Sequence, residues 1–282
     1  MPDRTHVEGV MGQLEELWGH FDTLYDAIEA AGDWGHRHGP DWTFADVPYH
    51  MAYFDQQLVA RALELGPDYP AAEQERYLTM AEINAWNARE FAKRSPGQTP
   101  QQSVAQARAV RDRIRRLAAE LTDADLQRRL YMPLLGMGWV DAGTGLALAV
   151  VHTWSELTQL RVHTGRAEPV PSASVTNTYL GAMIGFMGMF MDRSAAQGLD
   201  FTVLYDFTDP GVAPVTFRVH DGAASAAPGR PERADLVITE SAETFEKVFR
   251  GIQSPMDALQ SGAMRVSSME ALGTFGKLFP MA

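Results

Sequence analysis

Residues 150–166, VVHTWSELTQLRVHTGR, place two histidines and a glutamate in one helical run. His152 and Glu156 are four apart, and His163 comes seven residues after Glu156. Residues four apart on an α-helix project from the same face, about 6 Å apart in rise, so His152 and Glu156 can offer two ligand atoms to one divalent ion. Seven residues are roughly 10 Å of helix axis, whereas metal–ligand bonds are only about 2 Å long. His152 and His163 therefore cannot share an ion, and His163 falls outside the site. A third ligand must come from another helix, and His50, the last residue of DWTFADVPYH, is the best candidate. Two imidazoles and one carboxylate leave positions open for water or substrate. That set suits Zn, Ni, Mn or Fe(II) and is typical of catalytic rather than structural sites. The same spacing also occurs in helices where a histidine packs, caps or pairs with a glutamate.

Composition limits the alternatives. A chain of 282 residues is more than one average domain and reads as two. With 24 Lys+Arg against 36 Asp+Glu the net charge is −12, which argues against nucleic acid or an anionic membrane as a main partner. There is no cysteine, so disulfides, zinc ribbons and thiol nucleophiles are excluded and any metal must be held by His, Asp or Glu. The start, MPDRTHVEGVMGQLEELWGH, has no signal-peptide-like apolar run. The most apolar helix candidate, YLGAMIGFMGMFM, is shorter than the roughly 20 residues a bilayer requires. A soluble, cytoplasmic protein with no integral membrane association is expected.

These residues need helices to position them. EGVMGQLEELWGHFDTLYDAIEA sets Val10, Leu14, Leu17, Phe21, Leu24 and Ile28 at steps of three and four, one apolar face. Gly32, Gly35, Gly39 and Pro40 then break the pattern. A second helix runs through TFADVPYHMAYFDQQLVARALEL, where Thr43 and Asp46 have capping-box spacing and Pro48 sits early, where its missing amide does least harm. A further helical stretch covers AEQERYLTMAEINAWNAREFAKR, and long helices cover QQSVAQARAVRDRIRRLAAEL and DAGTGLALAVVHTWSELTQLRVHTG. The arginines at 108, 111, 113, 115 and 116 read as a solvated face rather than a nucleic-acid surface. Four long amphipathic helices with polar connections predict a bundle. Other polar residues read plainly: His36 and His38 as solvated loop residues, Asp46 as a cap, and Trp42, Tyr53 and Phe54 as core.

RAEPVPSASV, residues 166–175, marks a boundary between a bundle over 1–168 and a second domain over 176–282. Past it come an apolar helix, strand-like runs LDFTVLYDF, PVTFRVHDG and ADLVITES, two helices, a short strand AMRVSS and a closing helix. DGAASAAPGRPE reads as a surface loop. The fold class is an all-α four-helix bundle followed by a small α+β sheet-and-helix domain.

WTFADVPYHM resembles the segment around the first metal histidine of the DinB-like bundle superfamily, which includes the mycothiol-dependent maleylpyruvate isomerases. HTWSELTQLRVHTG resembles that superfamily's last helix, usually two histidines four apart followed closely by Gly-Gln. The resemblance implies His50 and His152 as the first two ligands, Glu156 in place of the third histidine, and Gln159 where the superfamily's glutamine stands. The isomerase branch commonly has Glu then His, the reverse of the order here. ADLVITESAETFEKVFRGIQSPMDALQSGAMRVSSMEALGTFGKLF is similar to the sterol carrier protein type 2 family. That resemblance implies a five-stranded sheet with helices enclosing an apolar tunnel for lipids, acyl chains or sterols. Met183, Phe186, Met187 and Phe190 are its candidate ligand-binding residues, and methionines suit an irregular apolar pocket.

The leading expectation is a metal-dependent enzyme of isomerase, hydrolase or thiol-transferase type, with a divalent ion (Zn, Ni, Mn or Fe) in the bundle. The second domain would bind a small apolar or lipid-like ligand. One alternative is a non-enzymatic lipid carrier with a degenerate metal site. Another is a mycothiol-dependent isomerase or transferase, which needs a basic anchor such as Arg161 or Arg166. No nucleic-acid partner is expected, and a homodimer stays open.

Overall fold

A computed structural model describes residues 4–38, 42–68, 77, 79–126, 129–133 and 137–279. Gly39, Pro40 and most of the stretch before Thr79 lie outside the described residues. The chain divides into two compact units, Met1–Pro171 and Ser172–Ala282. The first is helical and the second combines a sheet with helices.

In the first unit, α1 (Arg4–Ala31) buries the face spaced at three and four, with Leu14, Leu17, Phe21 and Ile28 at 0% exposure. Each such side chain contributes about 1.5–3 kcal/mol on leaving water. A 3-10 turn, Phe44–Asp46, leads into α2 (Val47–Phe54), with the Thr43–Asp46 capping box formed. The chain then widens into a π-helical turn, Asp55–Ala60, before α3 (Arg61–Leu65). Next come α4 (Met80–Phe91), α5 (Pro100–Glu120) and α6 (Asp123–Leu126). Capping boxes at Thr79 and Thr99 start α4 and α5. Helix α4 therefore begins later than the sequence pattern suggests, because Thr79 accepts from the Glu82 amide as an extended N-cap. On α5, Arg108 pairs with Asp22, Arg113 with Glu64, and Arg115 with Glu15 and Asp112. The solvated reading of Arg111 is corrected: it is 1% exposed and reaches Asp22 from inside the bundle.

An antiparallel hairpin, β1 (Arg129–Met132) with β2 (Gly138–Asp141), precedes α7 (Ala142–His163). The sequence reading leaves these strands unassigned. They are four residues each, too short for a period-2 pattern to stand out. Asp141 caps α7 by accepting from the Thr144 amide at 2.9 Å. Gly145 lets the hairpin sit close, since a Cβ there would meet Leu130 Cδ1 at 2.9 Å. Helix α7 packs against α1, and α2 against α5. Almost every side of α7 is covered, including Thr153, Ser155, Glu156 and Thr158, so polar side chains are carried into the bundle interior.

The second unit opens with α8 (Ala173–Phe190), followed by β3 (Asp200–Phe207), β4 (Val215–His220), β5 (Ala223–Pro228) and β6 (Leu236–Glu240). Helices α9 (Ala242–Phe249) and α10 (Pro255–Gln260), strand β7 (Met264–Val266) and helix α11 (Met269–Leu278) complete it. The sheet order is β5-β4-β3-β6-β7, antiparallel except for the β3–β6 pair. Phe201, Val203, Tyr205 and Phe207 alternate onto one buried face with Leu236, Ile238 and Glu240.

The expected surface loop DGAASAAPGRPE is corrected: Ala223–Pro228 is an edge strand paired with β4. Asp221 and Gly222 have φ of 45° and 77°, the left-handed pair of a tight hairpin turn, and Asp-Gly is a recognisable signal for it. The alanines suppress the usual strand signature but let α8 approach closely, with a Cβ on Gly188 falling 2.9 Å from Ala224 Cβ.

Candidate metal centre

His50 on α2 and His152 and Glu156 on α7 offer one ligand atom each, all within 4.8 Å of one another. The two Nε2 atoms are 3.0 Å apart, and Glu156 Oε1 is 4.0 Å from that of His50 and 3.9 Å from that of His152. Ligands about 2 Å from a shared ion are separated by roughly 3–3.5 Å, so small side-chain adjustments suffice to seat one.

The tautomer of His50 is fixed from behind. Tyr53 donates its hydroxyl proton to Asn87 Oδ1 at 2.8 Å, so its oxygen accepts from His50 Nδ1–H at 2.6 Å. That leaves the Nε2 lone pair pointing at His152 and Glu156, as an oriented metal histidine requires. Burial, reinforced by the Glu156 and Glu90 carboxylates, holds Tyr53 un-ionised. His152 stacks flat on Phe54, with centroids 3.4 Å apart and ring planes 2° from parallel. Trp42 packs on the His50 ring at 4.7 Å. The donor set, its orientation and its apolar walls fit a divalent cation.

Such an ion would be held by His50, His152 and Glu156, and would supply Lewis acidity to a carbonyl or lower the pKa of a bound water or thiol. The protein's own part is to keep Nε2 of His50 deprotonated, to hold both rings by stacking, and to bury the carboxylate. The site is most open at His152, whose side chain is 14% exposed against 9% for Glu156 and 3% for His50.

Several residues fall differently from their sequence reading. His36 is exposed, but His38 is only 4% exposed and places Nε2 3.8 Å from Glu156 Oε2. The loop is folded inward by hydrogen bonds from His38 N to Trp42 O and from Phe44 N to His36 O, both 2.9 Å, so the solvated reading of His38 is corrected. His163 is outside the converging atoms, yet its Nδ1 lies 3.2 Å from that of His38, linking it to Glu156 through a second imidazole. Burial and the neighbouring His38 lower the pKa of His163, against a smaller opposing pull from Glu156. Asp46 caps, accepting from Thr43 N at 2.7 Å, and pairs with Arg94 at 2.7 Å. Tyr53, Asn87 and His38 support the centre without having been singled out for it. Tyr53 had a signal, three residues after His50 on one helix face. Asn87 had none.

Gln159 donates to Ser155 Oγ at 3.4 Å. Arg161 donates to the Ala167 carbonyl at 2.8 Å and Arg166 to the Ala27 carbonyl at 3.4 Å. In the second unit Met187 is buried, Met183 and Phe186 are half-buried, and Phe190 is 42% exposed.

The profile of the DinB superfamily matches residues 13–160, more than half of the chain. The chain belongs to the DinB superfamily. The crystal structure of a mycothiol-dependent maleylpyruvate isomerase is similar at a TM-score of 0.58 and 14% identity, over 95% of this chain and 96% of that one. A mutant of such an isomerase gives 0.53 at 14% identity, over the same shares. Identity this low establishes a shared fold. Apo sterol carrier protein 2 from Yarrowia lipolytica covers 38% of this chain and 94% of its own, at 14% identity and a TM-score of 0.27. No curated protein matches the sequence significantly. In this DinB-superfamily chain no helix among the described residues is long and apolar enough to cross a membrane.

Proposed function

We propose that this DinB-superfamily chain is a metal-dependent enzyme of isomerase, hydrolase or thiol-transferase type. Its divalent ion (Zn, Ni, Mn or Fe) is held by His50, His152 and Glu156. The observation that carries this reading is the convergence of two imidazole nitrogens and one carboxylate oxygen within 4.8 Å, one of them tautomerically fixed by Tyr53. Within that range the thiol-assisted isomerase chemistry draws support from the solved neighbour named a mycothiol-dependent maleylpyruvate isomerase. The second unit binds a small apolar or lipid-like ligand, and the protein works in the cytoplasm.

Metal analysis of untagged protein tests the first part. About one equivalent of bound metal is expected, with affinity falling by more than about 100-fold in His50→Ala and Glu156→Ala, beyond the usual cost of losing an outer-shell partner. Failure of the wild type to take up any of Zn, Ni, Mn or Fe(II) on loading sinks the reading. That result would favour a carrier with a metal-free bundle, in which Glu156 only packs among the three imidazoles that lie within 4.0 Å of it.

A further inference from the structure

The interior of the second unit contains a carboxyl group that its surroundings do not explain. Glu240, the last residue of β6, is 3% exposed, and its Oε2 is buried with no hydrogen-bond partner. Its neighbours in register are Phe207 on β3 and Met264 on β7, both apolar. The cation of β7, Arg265, pairs with Thr239 and so lies on the opposite face of the sheet. A second polar group stands close by on the same face. Tyr205 pairs in register with Ile238, two residues before Glu240, which places it about 8 Å away between Cα atoms. Its hydroxyl donates to Met187 Sδ at 3.5 Å, a thioether and a weak acceptor. The rings of Phe207 and Phe245 pack around Tyr205 at 6.3 and 5.7 Å.

A buried carboxyl and a buried phenol normally find oxygen or nitrogen partners. Here one has none and the other has only sulfur, within aromatic and methionine walls. Burial also pushes the Glu240 carboxyl up to about 8, so at neutral pH it carries its proton. A protonated carboxyl offers one donor and an acceptor, and the phenol offers another donor. Two donors in a dry apolar setting suit a neutral oxygen. Met187, flexible and polarisable, can shift to admit it.

We propose that Glu240, with Tyr205 beside it, is the polar anchor of the apolar-ligand site in the second unit, selecting molecules with a neutral oxygen head, hydroxyl or ketone, on a hydrocarbon body. The inference rests on the reading that this unit binds an apolar ligand, and adds the ligand's polar end. Because the carboxyl is neutral and no cation shares its face of the flanking strands, the anchor discriminates against both carboxylate and ammonium heads.

The test uses the full chain and displacement of a neutral apolar dye, N-phenyl-1-naphthylamine, by 2-undecanone, 1-undecanol, undecane and undecylamine. The ketone and alcohol are expected to bind at least about tenfold more tightly than undecane, since an analogue lacking the oxygen leaves both anchors unpaired. Glu240→Leu should shrink that preference below about threefold while still taking up undecane, and Glu240→Gln, which keeps a neutral donor and acceptor, should retain it. Should the leucine variant not fold, the wild-type ranking and the glutamine variant decide. Equal binding of ketone and undecane by the wild type overturns the anchor and leaves the apolar site standing. Tightest binding of undecylamine overturns the neutral-head selection. Displacement by none of the four, or no dye binding, overturns the apolar-site reading and the anchor together.

Discussion

Glu156 in the bundle and Glu240 in the second unit are buried carboxyls with opposite surroundings. In the bundle, His50 is held by Tyr53, Tyr53 by Asn87, and Glu156 sits among the imidazoles of His38, His50 and His152. In the second unit, Glu240 stands among aromatic rings with its Oε2 unpartnered. A connected network fixes tautomers and ring angles, which is what a metal or reacting group needs. An isolated carboxyl instead stays protonated and waits for a partner from outside. The contrast is what supports proposing a metal centre in the bundle and an anchor for an apolar ligand in the second unit.

The sharpest way to break this contrast is the pH dependence of stability. Burial raises Glu240 from 4.5 to about 8. Between those values the folded chain keeps a proton that the unfolded chain has lost, so raising the pH through the window erodes stability, by up to about 4–5 kcal/mol. Glu240→Gln should remove that erosion, melting closer to the wild type at pH 5 and well above it at pH 9. Unchanged pH dependence would mean that Glu240 ionises freely, and the isolated-carboxyl half of the contrast would go.

Asp55, at the start of the π-helical turn, supplies the counterpart in the bundle. Burial raises it from 3.8 to about 7, with Arg111 pulling the other way. The sign is the same: stability contributed by the protonated form is present at pH 4 and lost by pH 7. Asp55→Asn should gain up to about 3–4 kcal/mol at pH 8 relative to its effect at pH 4, followed by thermal denaturation. A gain equal at both pH values would show that packing, not ionisation, sets the cost.

A smaller effect sharpens the bundle side. Tyr53→Phe removes the acceptor for His50 Nδ1–H and leaves the ring packing intact, so metal affinity should fall about 10–100-fold with little change in melting temperature. Unaltered affinity would reduce Tyr53 to a packing residue. Smallest of all, Arg115→Ala, which breaks exposed pairs to Glu15 and Asp112, should cost less than about 1 kcal/mol and leave metal content untouched. A larger loss would place Arg115 in the working network rather than on a solvated face.

Regular elements were the most legible. Steps of three and four set the buried face of α1, and Thr43 with Asp46 announced the start of the 3-10 turn before α2. The β1–β2 hairpin is not legible because its strands are short, and β5 is marked only by the Asp221–Gly222 turn, because alanine gives no alternation. The π-helical turn at Asp55–Ala60 has no sequence signature, since one wider turn leaves the apolar spacing nearly unchanged.

The centre divides along the same line. The sequence nominated His50 from another helix, and by itself it put His152 and Glu156 on one face of one helix and kept His163 roughly 10 Å along the axis from Glu156. The last two are consequences of a fixed rise per residue. Only the tertiary structure decided that His50 Nε2 meets His152 Nε2 at 3.0 Å, that Tyr53 and Asn87 set its tautomer, that His38 turns inward to Glu156, and that Glu240 stands alone. Periodicity states which face of a helix or strand is buried. Which buried faces meet is settled by packing between distant segments, such as those of His50 and His152, 102 residues apart, and no local spacing encodes it.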